Sequence, residues 1–496
     1  MQAVELERHR AGLAPAAAQG TATLLIAVVL GFGIALLTVA WPMIGLALSF
    51  ALGGAVVLVR RPQWVWFCFT ASLAIPVQKT VAGIPVNASD ALLVLWCVLW
   101  PLILLRQDTP SLRTLTVPTI VKAISPFLLA VALSQSVSMS AMVSAKQGLR
   151  IIEWFVVLPV LVLVFRPTRR YWQFASVMLL VIPCFFAVDG LVEVALNGQS
   201  LTHMMGIDVP LPEGSLEQIR HTFDISGRAG STFGGAQGLA MYLVMSMSVV
   251  LAHVLRPPSP GMRLLALVST VVCTAGLAAT QSRGGLLGAA VLVLVLTLAM
   301  RPQWTRIAVA LVVAVAFALT LALALVPQWD GTVAGLVPGR PEAVLDRLII
   351  WGVVLDVVQA HPLLGVGLGN FRDEFFARGV QLHVELGYSS VHAHNTFLEI
   401  LAGTGLIGLA AYLFFLGMVG RHLARLWKAK DSASQVFTLA ALGALGAYVV
   451  FAMVDMLLLQ NMHMLLVTVL TLGLSHQQAP APGISIATLA GRKETA

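Results

Sequence analysis

The sequence predicts an all-α, polytopic integral membrane protein of about 12 to 14 transmembrane helices. The 496 residues are 58% hydrophobic and 10% charged, with a mean hydropathy of +0.90, so lipid is the main solvent. Apolar stretches of roughly 17 to 22 residues recur, each long enough to cross a hydrocarbon core of about 30 Å as a helix. They lack the polar/apolar alternation of a membrane-barrel strand.

The expected helices begin at Thr21 to Ala40, Pro42 to Val59, Trp64 to Val77, Ala91 to Leu105, Pro118 to Val137, Gly148 to Phe165 and Trp172 to Leu196. Together they form an N-terminal membrane block over residues 1–196. The first run is too long for a signal-peptide core and lacks a small-residue cleavage site, so it reads as the first transmembrane helix. A polar loop, 197–232, leads to a central block, 233–326, with spans Phe233 to Leu255, Leu264 to Thr280, Gly285 to Met300 and Ile307 to Val326. A long polar segment follows over 327–395; Thr396 to Val419, Gln435 to Val454 and Asn461 to Leu474 then make the last block, 396–476, before a tail at 477–496.

Orientation follows from the basic residues, because Lys and Arg in short loops stay on the cytoplasmic side. Arg8 and Arg10, Arg60 and Arg61, Arg106 and Arg113, Arg166 with Arg169 and Arg170, Arg256 and Arg263, Arg301 and Arg306, and Arg421 through Lys430 fall on one side. This places both termini and the tail in the cytoplasm and the loops 197–232 and 327–395 outside. The net charge of +8 is largely absorbed by those cytoplasmic loops and needs no nucleic acid. The cysteines Cys68, Cys97, Cys184 and Cys273 all lie in apolar spans, which argues for small core residues and against a disulfide framework or thiolate metal site.

The outward-facing cations are then the exceptions: Lys79, Lys146, Arg150, Arg220, Arg228, Arg283, Arg340, Arg347, Arg372 and Arg378. The long loop contains an expected helix, Pro341 to Ala360, begun by proline in the first turn and stopped by His361-Pro362. Arg347 and Trp351 share one face, with Arg347 inward over the core, while Leu345, Leu348, Ile349 and Leu355 supply apolar surface. Gly365-Val366-Gly367-Leu368-Gly369-Asn370 reads as a flexible turn; no strand precedes it as a nucleotide loop would require.

Arg283 stands in Gln281-Ser282-Arg283-Gly284-Gly285 at the outer mouth between two spans. Arginine at a helix end is commonly an interfacial anchor, but two following glycines allow close approach to a bulky anion, and guanidinium geometry matches phosphate oxygens. Val391-His392-Ala393-His394-Asn395 precedes Thr396-Phe397-Leu398-Glu399. Asn395 suits a helix N-cap. The histidines have three readings: near neighbours of that cap, metal ligands without further clustered Cys, Asp or Glu at ligand spacing, or a base that takes a proton from a sugar hydroxyl. Glu399 is placed to stabilise the loop or orient an imidazole.

The ordered set Arg228-Ala229-Gly230-Ser231-Thr232-Phe233-Gly234, Ser282-Arg283-Gly284, Arg347-Leu348-Ile349-Ile350-Trp351, His361-Pro362-Leu363-Leu364-Gly365-Val366-Gly367, His394-Asn395-Thr396-Phe397-Leu398-Glu399 and Gly403-Thr404-Gly405-Leu406-Ile407-Gly408 resembles the bacterial O-antigen ligase and polymerase family. The resemblance runs from about Arg228 to Tyr412. It implies a GT-C-like, metal-independent glycosyltransferase without cofactor, in the bacterial cytoplasmic (inner) membrane with its site on the periplasmic face. The implied donor is an undecaprenyl-diphosphate-linked glycan; the acceptor is another glycan or a lipid A-core. Arg283, Arg347 and His394 are the implied catalytic residues, with Arg228, His392, Asn395, Trp351 and Glu399 toward the substrates. Polymerisation and ligation both fit such a site, with a base-rate lean to polymerisation. The competing class is a transporter or flippase of anionic lipid or polysaccharide, which would place charge near the midplane and use repeats. Here the few deeper or boundary acids are Glu153, Asp189, Glu193 and Asp455, and the motif-bearing half shows no repeat.

Overall fold

The computed structural model describes residues 78–81, 84–87, 90, 92–95, 97, 118–164, 169–204, 227–233, 235–300, 341–380, 391–429, 435–455 and 462–474. Contacts divide the chain into two units; all described residues belong to the second, Phe67–Cys97 with Pro110–Ala496. The expected spans Thr21 to Ala40, Pro42 to Val59, Trp64 to Val77 and Ile307 to Val326, most of Ala91 to Leu105, and the 477–496 tail lie outside the described residues. So do Arg220 and Arg340.

The described elements are the antiparallel pair β1 (Gln78–Val81) and β2 (Ile84–Asn87), α1 (Thr119–Ser134), α2 (Ala141–Ile152), α3 (Leu158–Val164), α4 (Arg169–Ala195) and α5 (Ala236–Leu255). They continue with α6 (Pro260–Thr280), α7 (Arg283–Met300), α8 (Pro341–Ala360), α9 (Phe371–Ala377), α10 (Thr396–Lys428), α11 (Gln435–Val454) and α12 (Met462–Leu474). Apart from the small hairpin, which the all-α expectation omits, the described fold is helical. Among the described residues seven helices, α1, α4, α5, α6, α7, α10 and α11, are long and apolar enough to cross a membrane, and α12 is a shorter apolar helix.

Helices α5 and α11 form the centre: 78% of each span is buried, against 28% for α6 and 33% for α7, whose remaining apolar faces suit lipid. Around this centre α5 packs on α6, α4 on α6, α7 on α11, α11 on α12, and α1 on α10. The α4–α6 crossing is close because Gly276 has no side chain; a Cβ there would lie 2.6 Å from that of Ala187. Local sequence sets the helix ends. Ser259 accepts from Met262 N at 3.3 Å, Pro260 opens α6, and Gln281 closes it with a left-handed φ of 49°. The expected Gly148 to Phe165 span is broken into α2 and α3 by a π-helical turn at Glu153–Val157 that buries Trp154 and Phe155.

Helix α8 occupies the expected range, Pro341–Ala360. Its buried face is Ile350, Val353, Val354 and Val357, packed with Phe371, Phe375, Val391 and Ala393. Leu355 is instead 54% exposed, while Leu345, Leu348 and Ile349 are half-buried.

The Gly365–Asn370 segment is docked, which corrects its reading as a flexible turn. Helix α10 is kinked at Gly405, whose φ of 65° and ψ of −168° lie where an L side chain does not fit. The backbone groups freed by the kink are taken up by the turn: Leu406 N donates to Pro362 O at 2.9 Å, Ile407 N to Leu363 O at 3.3 Å, and Val366 N to Ala402 O at 3.0 Å. Asn370 completes the lock, its Nδ2 donating to Ser138 Oγ at 2.7 Å, Ser144 Oγ at 2.9 Å and Val366 O at 3.0 Å.

Candidate active site

The His392–Asn395 loop enters α10 through a complete N-cap. Asn395 Oδ1 accepts from Phe397 N at 2.9 Å and Leu398 N at 3.1 Å, satisfying donors that a helix start leaves open. The other face of the same amide reaches another helix: Asn395 Nδ2 donates to Met453 O at 3.1 Å. Thr396 Oγ1 likewise donates to Asp455 O at 3.0 Å. Asn395 and Thr396 therefore fasten the histidine loop to the C-terminal end of α11.

Two further bonds fix the loop between the histidines. Glu399 Oε2 accepts from Ala393 N at 2.9 Å, and Trp351 Nε1 donates to Ala393 O at 2.8 Å. Glu399 thus holds the loop backbone, one of its two expected roles, and Trp351 serves α8 as a strut. Arg347, one turn before Trp351, lies within electrostatic range of Asp455 and His394.

Asp455 joins these parts. Its Oδ1 lies 3.7 Å from His392 Nε2 and 3.7 Å from His394 Nδ1, and the two imidazole rings stand 4.0 Å apart at 41°. His394 adopts a left-handed φ of 46°, uncommon for a residue with a Cβ; that turn brings Nδ1 toward the carboxylate. Burial pushes the Asp455 carboxyl up, but the two histidines more than reverse this and hold it below the usual carboxylate range. Burial lowers His394 below the ordinary imidazole value; Asp455 opposes that shift, and His392 and Arg347 reinforce it. Near neutral pH this describes an ionised carboxylate beside a neutral His394. Sequence reasoning notes Asp455 as a boundary acid without assigning it to the site; a carboxylate at the end of an apolar span is the available signal.

Arg283 approaches from α7. Ser282 caps that helix by accepting from Gly285 N at 3.1 Å, and a Cβ on Gly284 would stand 3.0 Å from Val454 Cγ2. The Ser-Arg-Gly start of α7 therefore rests on the residue preceding Asp455. Arg228 has a different duty: its Nε donates to Thr280 O at 2.9 Å and its Nη2 to Gln281 O at 3.4 Å, closing the C-terminus of α6 just before Ser282. Its loop is held by two buried acids that sequence reasoning leaves outside the site. Glu193 accepts from Gly230 N at 2.8 Å and Ser231 N at 2.6 Å, and Asp189 accepts from Ser231 Oγ at 2.6 Å.

The fold thus brings Arg347, Trp351, His392, His394, Asn395, Glu399 and Asp455 together, with Arg283 at the adjoining helix end, while Arg228 braces the approach to Ser282. A neutral imidazole oriented by a carboxylate can remove a proton, and guanidiniums beside it can stabilise an anion. Among known proteins, residues 268–413 match the O-antigen ligase family. The chain is also 28% identical over 127 residues to "Exopolysaccharide production protein ExoQ" of Rhizobium meliloti (strain 1021), an alignment covering 24% of this chain and 28% of that protein. The matched segment contains Arg283, Arg347 and His394 and ends before Asp455; the two matches together support an O-antigen ligase/polymerase-type family for that part of the chain.

Proposed function

We propose that the protein is a membrane glycosyltransferase that moves a glycan from an undecaprenyl-diphosphate carrier to a sugar hydroxyl on the outer face of the bacterial cytoplasmic membrane. The observation that carries this reading is the placement of His394: Nδ1 faces Asp455 at 3.7 Å, leaving Nε2 as the nitrogen available to an incoming hydroxyl. Asp455 favours the Nδ1–H tautomer and stabilises the imidazolium that forms, as a carboxylate does in a hydrolase triad. His392 presents Nε2 to the same oxygen, which commits its outer nitrogen and suits it to shaping the loop.

In this mechanism Arg283 and Arg347 bind the diphosphate and stabilise its charge as the glycosidic C–O bond breaks. The acceptor hydroxyl attacks the anomeric carbon opposite the leaving diphosphate, inverting it, while its proton passes to His394 Nε2. Arg228, Asn395, Trp351 and Glu399 brace the walls of the site through their protein partners, and His392 lines it toward the substrates. No step calls for a metal or another cofactor, since two guanidiniums supply the positive charge.

Polymerisation is the favoured version, supported by the relative's description as an exopolysaccharide production protein. Ligation to a lipid A-core is the second reading, favoured by the name of the matching family. Purified full-length protein in nanodiscs, given lipid-diphosphate-linked repeat units, is expected to lengthen them without ATP. Transfer only to added lipid A-core assigns ligation, and donor flipping without transfer overturns the enzyme reading. His394→Ala is expected to lower transfer by about 10²- to 10⁴-fold with donor binding intact, and His392→Ala to lose less; full activity in His394→Ala defeats the assignment.

A further inference from the structure

We infer that His392, His394 and Asp455 form an inhibitory site for a divalent transition-metal ion of the zinc class. One donor atom from each of the three lies within 4.8 Å of the others, and Asp455 Oδ1 is 3.7 Å from each histidine nitrogen. Zinc bonds to imidazole nitrogen and carboxylate oxygen are about 2.0–2.2 Å long, so ligand atoms on a tetrahedral ion stand about 3.3 Å apart. Each histidine–carboxylate pair at 3.7 Å needs to close by about 0.4 Å, and the histidine nitrogens, within 4.8 Å of each other, by at most about 1.5 Å. Imidazole and carboxylate together suit zinc and cobalt better than magnesium or calcium, which prefer oxygen ligands.

A second observation points the same way. His394 Nδ1 is buried and makes no hydrogen bond, its charge partner Asp455 Oδ1 staying at 3.7 Å, an uncommon state for a buried polar atom. The ligand backbones are already held: Ala393 between the histidines is tied to Trp351 and Glu399, and Asp455 is tied through its carbonyl to Thr396. Such outer bonds pre-orient metal ligands. Three protein ligands leave one position open to water, and Arg347 nearby opposes the ion's charge, which favours a reversible site.

The binding geometry stands by itself; the inhibition rests on the reading of His394 as base. When Nδ1 gives its lone pair to the ion, the imidazole proton must reside on Nε2. The nitrogen that takes the acceptor's proton is then blocked, without any net gain or loss of protons by neutral His394.

The test uses the full-length protein in detergent, first stripped with a chelator. Co²⁺ is titrated while d–d absorption is followed, and Zn²⁺ is then titrated in competition with a chromophoric chelator. The expected result is one tight ion per chain, with the intense absorption of four-coordinate Co²⁺, lost in His392→Ala and in Asp455→Asn. Turnover of the stripped protein is expected to fall about 100-fold or more as the site fills, and to return when chelator is added. Absence of a tight ion, or one retained by both variants, overturns the site. A filled site with undiminished turnover overturns the inhibition and the base assignment together. If the stripped protein transfers no glycan, the glycosyltransferase reading fails, and the metal isotherm still decides the site.

Discussion

Replacing Asp455 by asparagine removes one negative charge and preserves the size of the side chain, isolating the electrostatic part of its action on His394. At 3.7 Å and an effective dielectric of about 20, a carboxylate and an imidazolium attract by about 4 kcal/mol. His394 is 20% exposed and Asp455 7%, so water screens part of this, and about 2–3 kcal/mol is the working value. Its loss lowers the His394 pKa further and corresponds to about 30- to 150-fold in turnover. The base must be unprotonated to act, so transfer rises with pH through the His394 pKa and levels off above it. Wild-type protein should show that rise below the ordinary imidazole value, the direction in which burial moves the group. In Asp455→Asn the plateau drops while the acid limb shifts to lower pH, because the imidazole is at once more often neutral and a weaker base. Single-turnover transfer from a lipid-linked donor across pH 4 to 8 (about the range of an imidazole) resolves both changes. A lower plateau with an unmoved limb would mean that Asp455 only supports the fold, and an unchanged profile would remove it from the mechanism.

Arg283→Lys and Arg347→Lys keep the charge but lose the two-pronged fit to phosphate oxygens, so each is expected to lower turnover by about 10- to 100-fold; wild-type donor affinity and turnover in both would take the arginines out of diphosphate binding. Single cysteines in an otherwise cysteine-free chain are expected to react with an impermeant maleimide at position 340 in intact cells and not at position 425; the reverse pattern inverts the topology. Gly405→Ala puts a Cβ against the Leu363 carbonyl at a backbone conformation that only glycine adopts readily, at a cost of about 2–3 kcal/mol. Its thermal unfolding in detergent should be lowered by several degrees, and an unchanged midpoint would refute the docking argument.

What was legible in the sequence divides by range. Helix α8 is marked by local chemistry: Pro341 fixes a favourable start and His361-Pro362 a stop, so its bounds coincide with the observed Pro341–Ala360. The Asn395 cap is equally local. The buried face of α8 was not readable, because apolar residues fall on all sides of the helix between its polar ones and the choice of Ile350, Val353, Val354 and Val357 depends on Phe371, Phe375 and Val391, which approach from elsewhere. The Gly365–Asn370 turn misleads for the same reason. Glycine permits flexibility in an isolated chain, whereas here the carbonyls before it answer a gap in α10 at Gly405. Asp455 stands out as a buried acid, but its link to His392 and His394 is a product of how α10 and α11 meet.

That meeting explains why the site lies at helix ends. Two imidazoles, a carboxylate and two guanidiniums cannot sit within a lipid-facing span without several kcal/mol of desolvation cost. The end of α11 supplies a boundary where polar atoms find partners: Met453 and Asp455 carbonyls accept from Asn395 and Thr396, while the Asp455 carboxylate faces the histidines. Val454, between them, supports Gly284, directing the start of α7 to the same place. Helix starts carry exposed N–H groups and a partial positive charge that favour anions, so α7 adds to Arg283 the polarity a diphosphate requires. The order along α11 therefore has a physical reason. An apolar contact at Val454 fixes the start of α7 that carries Arg283, and the next residue, Asp455, faces His394, where the proposed mechanism has it set the imidazole tautomer. Under the proposed mechanism, a substitution that moves the end of α11 by one helical step would separate anion binding from proton removal even with Arg283, Arg347 and His394 still present.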